Sequence, residues 1–346
     1  MEISYSFVIP VFNRPNEIRE LLESMKKLDF DDDFEIVIVE DGSTETAEEV
    51  LAEFSEDLNI SYFRKPNSGP GDSRNYGMSR AKGDYFLILD SDVILPSQYI
   101  KEVDKELQQE FIHCFGGPDA AHQEFSPIQK AINYSMTSFL TTGGIRGGKK
   151  MVGKFQPRSF NMGLSKKAFE ATGGFGRIHP GEDPDLSLRL EKSGFSTRFF
   201  RNAFVYHKRR INWEKFYQQV YKFGMVRPIL NKWHPTSAKP TFWFPSLFMI
   251  GFLFSVILVF TGFPYLLLGY VIYFIVLFFH SLALNSSLTI AMYSVWASLV
   301  QFSGYGLGFC LSTYYIRILN QDPEIRFPKL FFHHAQKDKN SYPNQV

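Results

Sequence analysis

The stretch GDYFLILDSDVILP, Gly83 to Pro96, sets the fold class and raises the first functional question. Leu87, Ile88 and Leu89 form a continuous apolar run of the kind that ends a buried strand. Asp90 and Asp92 follow with only Ser91 between them, and apolar residues then resume. Two like charges this close repel each other, and a neighbouring cation relieves the conflict. A divalent metal with oxygen ligands does so, and so does a solvated turn. On spacing alone these two readings stand equal.

The same grammar recurs upstream. YSFVIPVFNR (Tyr5–Arg14) reads as a strand closing on Pro10 and Asn13. PNEIRELLESMKKL follows as a helix with Pro15 in its first turn and Ile18, Leu21, Leu22, Met25 and Leu28 along one face. FEIVIVEDGST (Phe34–Thr44) is a second buried strand, closing on Glu40, Asp41 and Gly42. ISYFRKP is a third strand, DSRNYGMSRA a helix and GDYFLILDSD a fourth strand. Strands alternating with helices predict βαβ units and an open, mostly parallel α/β sheet. Ligands of such sheets sit beyond the carboxyl ends of the strands. Asn13, Asp41, Asp90 and Asp92 all fall at those ends.

Composition narrows the function classes. The formal net charge of +1 carries no signal for nucleic acid. Cys114 and Cys310 fit no metal or redox spacing, as expected in a reducing compartment. The first residues run almost directly into a strand, so no cleaved leader is expected. Further along, GEDPDLSLRL opens a helix with Glu182, Asp183 and Asp185, where the helix dipole favours acids. A carboxylate held near a metal site can also serve as a general base. Arg74, about a turn into its helix, can reach a phosphate or a base edge. TTGGIRGGKK reads as a glycine-rich basic loop.

Five stretches in order, SFVIPVFNRPNEIRELLESM, EIVIVEDGST, GPGDSRNYGMSRAKGDYFLILDSDV, RSFNMGLSKKAFEATGGF and GEDPDLSLRL, resemble family 2 glycosyltransferases of the GT-A fold. They cover roughly Tyr5 to His207. The resemblance implies a Rossmann-like, mostly parallel catalytic domain over residues 1–212. It also implies inverting transfer of a sugar from a nucleotide-diphosphate donor, UDP- or GDP-type, to an acceptor hydroxyl. By position, Pro10 and Asn13 would line the nucleotide pocket and Asp41 would contact the base. Arg74 would contact base or diphosphate, and Asp90 the ribose side. Asp92 would ligate Mg²⁺ or Mn²⁺, with His207 in VYHKRR as a further ligand. Asp183 would be the general base, with Asn161, Gly163 and Glu182 on the acceptor side. Family members often have two aspartates where this chain has Glu40-Asp41, which makes Glu40 the less certain ligand contact.

From Pro240 to Ile316 there is no Asp, Glu, Lys or Arg. A membrane span takes about 20 apolar residues, so spans are expected at about 242–263, 264–284 and 288–313. An interfacial amphipathic region (213–241) precedes them and a polar tail (317–346) follows. His280 and Gln301 are expected to face neighbouring helices. Nucleotide sugars are made in the cytosol, so the catalytic domain is expected there. Three spans would place the tail outside, yet its Arg317, Arg326, Lys329, Lys337 and Lys339 favour the inside. Processive synthases of this family tend to carry Q-x-x-R-W after the catalytic domain. Here Gln218 begins Q-x-x-Y-K, so addition of one or a few sugars to a lipid-linked acceptor is expected over chain extrusion. The competing readings are a processive synthase and a membrane-tethered nucleotide-sugar-binding protein with a decayed site.

Overall fold

The computed structural model describes residues 3–120, 125–143, 155–207 and 212–332. The first half runs β1 (Tyr5–Val11), α1 (Pro15–Met25), β2 (Phe34–Asp41), α2 (Glu48–Ala52), β3 (Ile60–Lys65), α3 (Pro70–Met78), β4 (Tyr85–Leu89), β5 (Val93–Ile94) and α4 (Tyr99–Gln109). It continues with β6 (Cys114–Gly116), β7 (Asp119–Ala120), α5 (Pro127–Thr137), α6 (Phe139–Thr142), β8 (Asn161–Ser165), α7 (Lys166–Thr172), α8 (Glu182–Lys192), β9 (Thr197–Phe199) and β10 (Val205–His207). Helices then dominate: α9 (Trp213–Trp233), α10 (Phe244–Val259), α11 (Tyr265–Asn285), α12 (Leu288–Ser312) and α13 (Pro323–Arg326). The chain divides into two compact units. One holds Met1–Ala120, Gln156–His207 and Phe331–Val346, and the other Ala121–Phe155 and Lys208–Leu330.

The first unit is built on a seven-stranded sheet of order β3-β2-β1-β4-β8-β6-β9. β1 pairs in parallel with β2 and β4, and β2 with β3. β8 runs antiparallel to β4 and β6. Alternate residues of one strand serve opposite faces. Phe7, Ile9, Ile36, Ile38, Leu87 and Leu89 join Ile18, Leu21 and Leu22 of α1 in one core layer. Val8, Val37, Val39, Phe86 and Ile88 join Met78 of α3 and Leu186 and Leu190 of α8 in the other. Strands covered on both faces must be apolar throughout, which explains their unbroken runs. A three-stranded sheet, β5-β10-β7, sits beyond the end of β4. Its register sets His207 opposite Val93, the residue after Asp92.

The expected first domain runs unbroken to residue 212, whereas the described residues 125–143 cluster with the C-terminal helices. The reason is apolar packing. Ile132 and Met136 of α5 share a core with Phe216, Val220 and Ala297. Tyr134 Oη lies 2.7 Å from His280 Nδ1, and Tyr273 Oη donates to Leu140 O at 2.9 Å. Of the expected glycine-rich basic loop TTGGIRGGKK, residues 144–150 lie outside the described residues.

In the second unit α9 and α12 approach closely. A Cβ on Gly308 would lie 2.2 Å from Tyr221 O, and one on Gly224 2.2 Å from Tyr305 O, so both contacts exclude a side chain. Among the described residues two helical stretches are long and apolar enough to cross a membrane, Pro240–Val259 and Tyr265–Asn285. The third expected span, 288–313, falls on α12, which is not one of them. α12 buries Ile290, Ala297, Phe302 and Phe309 inside its unit. Its partner α9 carries exposed Glu214, Lys215 and Lys222, which do not suit an acyl environment.

Candidate active site

The carboxyl ends of β1, β2 and β4 lie side by side in the sheet, so Asn13, Asp41 and Asp90 share one edge. Arg74 of α3 is their pivot. It is 4% exposed, with Nη2 donating to Asp90 Oδ1 at 2.6 Å and Nη1 3.7 Å from Glu182 Oε1. Its guanidinium lies 5.3 Å from the Phe175 ring centroid. Nε and Nη1 are buried without a hydrogen-bond partner among the described residues. Such unspent donors on a buried cation mark it as a polar group with capacity for a ligand. Arg14, at the start of α1, pairs with Asp92 at 2.5 Å.

The α8 N-terminus supplies the second half of the site. His179 Nδ1 lies 2.8 Å from Glu182 Oε1. Burial opposes the charge on both, yet each holds the other ionised: Glu182 sits below its ordinary range and His179 above its own. Asp183 behaves differently. Burial, then the charge on Glu182, lifts it to about 6, against the pull of Arg158 and Arg74. Its Oδ1 is buried with no hydrogen-bond partner among the described residues. A carboxylate so placed is a proton acceptor tuned close to neutrality.

Several expected contacts are made to the protein instead. Asp41 is 4% exposed. Its Oδ1 accepts from Lys65 Nζ (2.5 Å) and Ser68 N (2.9 Å), and its Oδ2 from Gly69 N (2.9 Å). It therefore shapes the loop leading into α3. Asn13, at φ 53°, accepts on Oδ1 from Thr44 N and Glu45 N, tying the β1 end to the β2 loop. Pro10 is half-buried in β1 opposite Val39. Glu40 is buried and accepts from Ala47 N and Tyr62 Oη.

Asn161 and Gly163 do not face an acceptor cleft, which corrects both assignments. Asn161 is fully buried; its Oδ1 accepts from Tyr99 Oη at 2.7 Å and its Nδ2 donates to Ala203 O at 2.8 Å. A Cβ on Gly163 would lie 1.9 Å from the Phe115 ring. Both are core residues of β8. Glu182 lies in the site, engaged by His179 and Arg74. The His207 side chain and the basic residues 208–210 lie outside what the structure describes.

Arg14, Lys65, Arg158 and His179 were not singled out in the sequence. Arg14 follows Asn13 at a strand end, and His179 stands three residues before Glu182, so both carried a positional signal. Lys65 meets Asp41 only through the β2–β3 register.

The donor set suits a hard divalent cation. Asp90 and Asp92 are both partly exposed, and each already draws a guanidinium. Among the described residues no group of three His, Cys, Asp or Glu gathers, so the remaining positions would fall to water or diphosphate oxygens.

Residues 6–173 match the family described as glycosyl transferase family 2. This segment is a family 2 glycosyltransferase domain. The mannosyltransferase PcManGT of Pyrobaculum calidifontis, solved with GDP-Man and Mn²⁺, has the same fold. It aligns at a TM-score of 0.56 and 14% identity, over 93% of this chain and 89% of that one. The domain therefore has the GT-A fold. Two curated relatives resemble it in part. The poly(ribitol-phosphate) β-N-acetylglucosaminyltransferase TarS of Staphylococcus aureus is 32% identical over 103 residues, 29% of this chain and 18% of that protein. The GalNAc(5)-diNAcBac-PP-undecaprenol β-1,3-glucosyltransferase of Campylobacter jejuni is 29% identical over 114 residues, 32% of this chain and 37% of that protein. The chain thus spans well under half the length of either relative.

Proposed function

We propose that this protein is an inverting glycosyltransferase, moving a sugar from a UDP- or GDP-linked donor to the hydroxyl of a lipid-linked or glycan acceptor. The observation that carries this reading is Asp183: a carboxylate lifted to about 6, with a buried, unpartnered Oδ1, beside the Arg74–Asp90 pair. Asp183 takes the acceptor hydroxyl proton as that oxygen attacks the anomeric carbon from the face opposite the leaving group. Arg74 meets the negative charge that grows on the departing diphosphate. Glu182 and His179 pair at the α8 N-terminus, and the charge on Glu182 strengthens Asp183 as a proton acceptor. Asp90 and Asp92, with His207 as the expected further ligand, would hold a Mg²⁺ or Mn²⁺, which would supply charge neutralisation to the diphosphate.

The names of the relatives support the donor and acceptor classes. TarS is an N-acetylglucosaminyltransferase, and the Campylobacter enzyme is named for an undecaprenol-linked acceptor. The apolar stretches of α10 and α11 support membrane attachment, and the source of nucleotide sugars favours a cytoplasmic catalytic unit. Gln218, Tyr221 and Lys222, in place of Q-x-x-R-W, support addition of one or a few sugars.

The test uses membranes bearing wild type or Asp183→Asn, with UDP-GlcNAc and GDP-mannose among the donors. The variant should bind donor as wild type does and lose transfer by about 10²-fold or more. Near wild-type transfer would assign the base to another group.

A further inference from the structure

The chain leaves the first unit, passes through the apolar tract and comes back. Phe332 N donates to Arg177 O at 3.0 Å, and Phe331 bridges to Ile178. The Phe332 ring lies 5.7 Å from that of His179, and so closely over Gly69 that a Cβ there would be 2.3 Å from it. Residues after the tract are therefore fastened to the domain that precedes it. Both lie on the same side of any membrane, so the tract crosses an even number of times or not at all.

Charge placement agrees independently. Lys232 and Lys239 stand before the tract, and Arg317, Arg326 and Lys329 after it. The turn between α10 and α11, Phe260-Thr261-Gly262-Phe263-Pro264, carries no charge. Basic residues on both flanks mark one shared side.

The helices themselves show which part enters lipid. On α10, Ile250, Leu253, Phe254, Val256, Ile257 and Val259 are all exposed and cover an arc of roughly 220° round the axis, far wider than one docking face. Phe260 is 86% exposed at the turn and Tyr265 70% exposed just past it. A protein partner would cover one face, whereas acyl chains cover all. The two helices are locked together. The Phe248 ring lies 4.9 Å from that of Tyr270, whose hydroxyl donates to Phe248 O at 3.1 Å.

We propose that α10 and α11 form a single membrane-inserted hairpin, turn first, whose occupant is the acyl region of the bilayer. On this proposal α12 stays outside the acyl region and the chain re-emerges on the side of the catalytic unit. The proposal rests on the membrane reading above and not on the reaction assigned to the site.

Impermeant-maleimide labelling of sealed right-side-out and inside-out vesicles tests it. Lys101→Cys, Ile325→Cys and Thr261→Cys are each placed in a Cys114→Ala, Cys310→Ala background. Positions 101 and 325 are expected to label in the same vesicle type. Position 261 is expected to stay unlabelled in that type until detergent is added. Labelling of 101 and 325 in opposite vesicle types would overturn the proposal, as would labelling of 261 alongside them without detergent. Release of the chain by alkaline carbonate would overturn the membrane reading itself. None of these outcomes depends on transfer activity.

Discussion

Arg74 Nη2 donates to Asp90 Oδ1 at 2.6 Å while its Nη1 lies 3.7 Å from Glu182 Oε1, so one buried guanidinium joins the β4 end to the α8 start. Removing one member of a buried pair leaves the other charge uncompensated, at about 3–5 kcal/mol. Arg74→Ala should lower stability on that order and weaken donor binding. Arg74→Lys keeps the charge but loses the planar fork, and should fall between the two. Denaturant melts and UDP titrations check both.

Transfer by Asp183 needs the ionised carboxylate, so activity should rise with pH through about 6. The charge on Glu182 helps to raise Asp183. Glu182→Gln should therefore move the acidic limb of the pH–rate profile to lower pH. An unmoved limb would mean that Glu182 does not act on the base.

Asp183→Asn should also change stability in a pH-dependent way. The folded carboxyl titrates at about 6 against an ordinary 3.8, so the folded state binds more protons between those values. Wild-type stability from this group is full below about 4 and is lost as pH rises through about 6. Asparagine escapes that loss, so the variant should be more stable at pH 7 by on the order of 1–3 kcal/mol, with the gap closing toward pH 4. Thermal unfolding at the two pH values measures it.

Asn161→Ala should act on the fold and not on the acceptor. It would strip hydrogen bonds from Tyr99 Oη and Ala203 O in a fully buried position. Each orphaned buried group costs about 1–3 kcal/mol. A lower melting temperature with unchanged acceptor KM is the expected pattern.

Gly308→Val should unfold the second unit selectively, because a Cβ there meets the Tyr221 carbonyl at 2.2 Å. Overpacking of this kind costs about 1–3 kcal/mol or more. Proteolysis should open the helical region while nucleotide binding by the first unit persists.

Much of this protein was legible from local pattern. The strands β1, β2 and β4 announce themselves because burial on both faces forces continuous apolar runs, and the strand-end rule then finds Asp90, Asp92 and Asn13. Asp183 is legible because acids at a helix start are a local signature. The roles of Asp41, Asn161 and Gly163 were not. Whether a carboxylate or amide meets a ligand or its own chain depends on partners far away in sequence, such as Lys65 and Ser68 for Asp41 or Ala203 for Asn161. The same holds for the apolar tract. Composition established that 77 residues without an acid or a Lys or Arg must avoid water, but not which of them face lipid. Tertiary packing is what separates them: α12 lies against the charge-bearing α9, and Phe331 and Phe332 return to Arg177 and Ile178. Local pattern reports the environment each side chain prefers, and only the folded chain determines which neighbour supplies it.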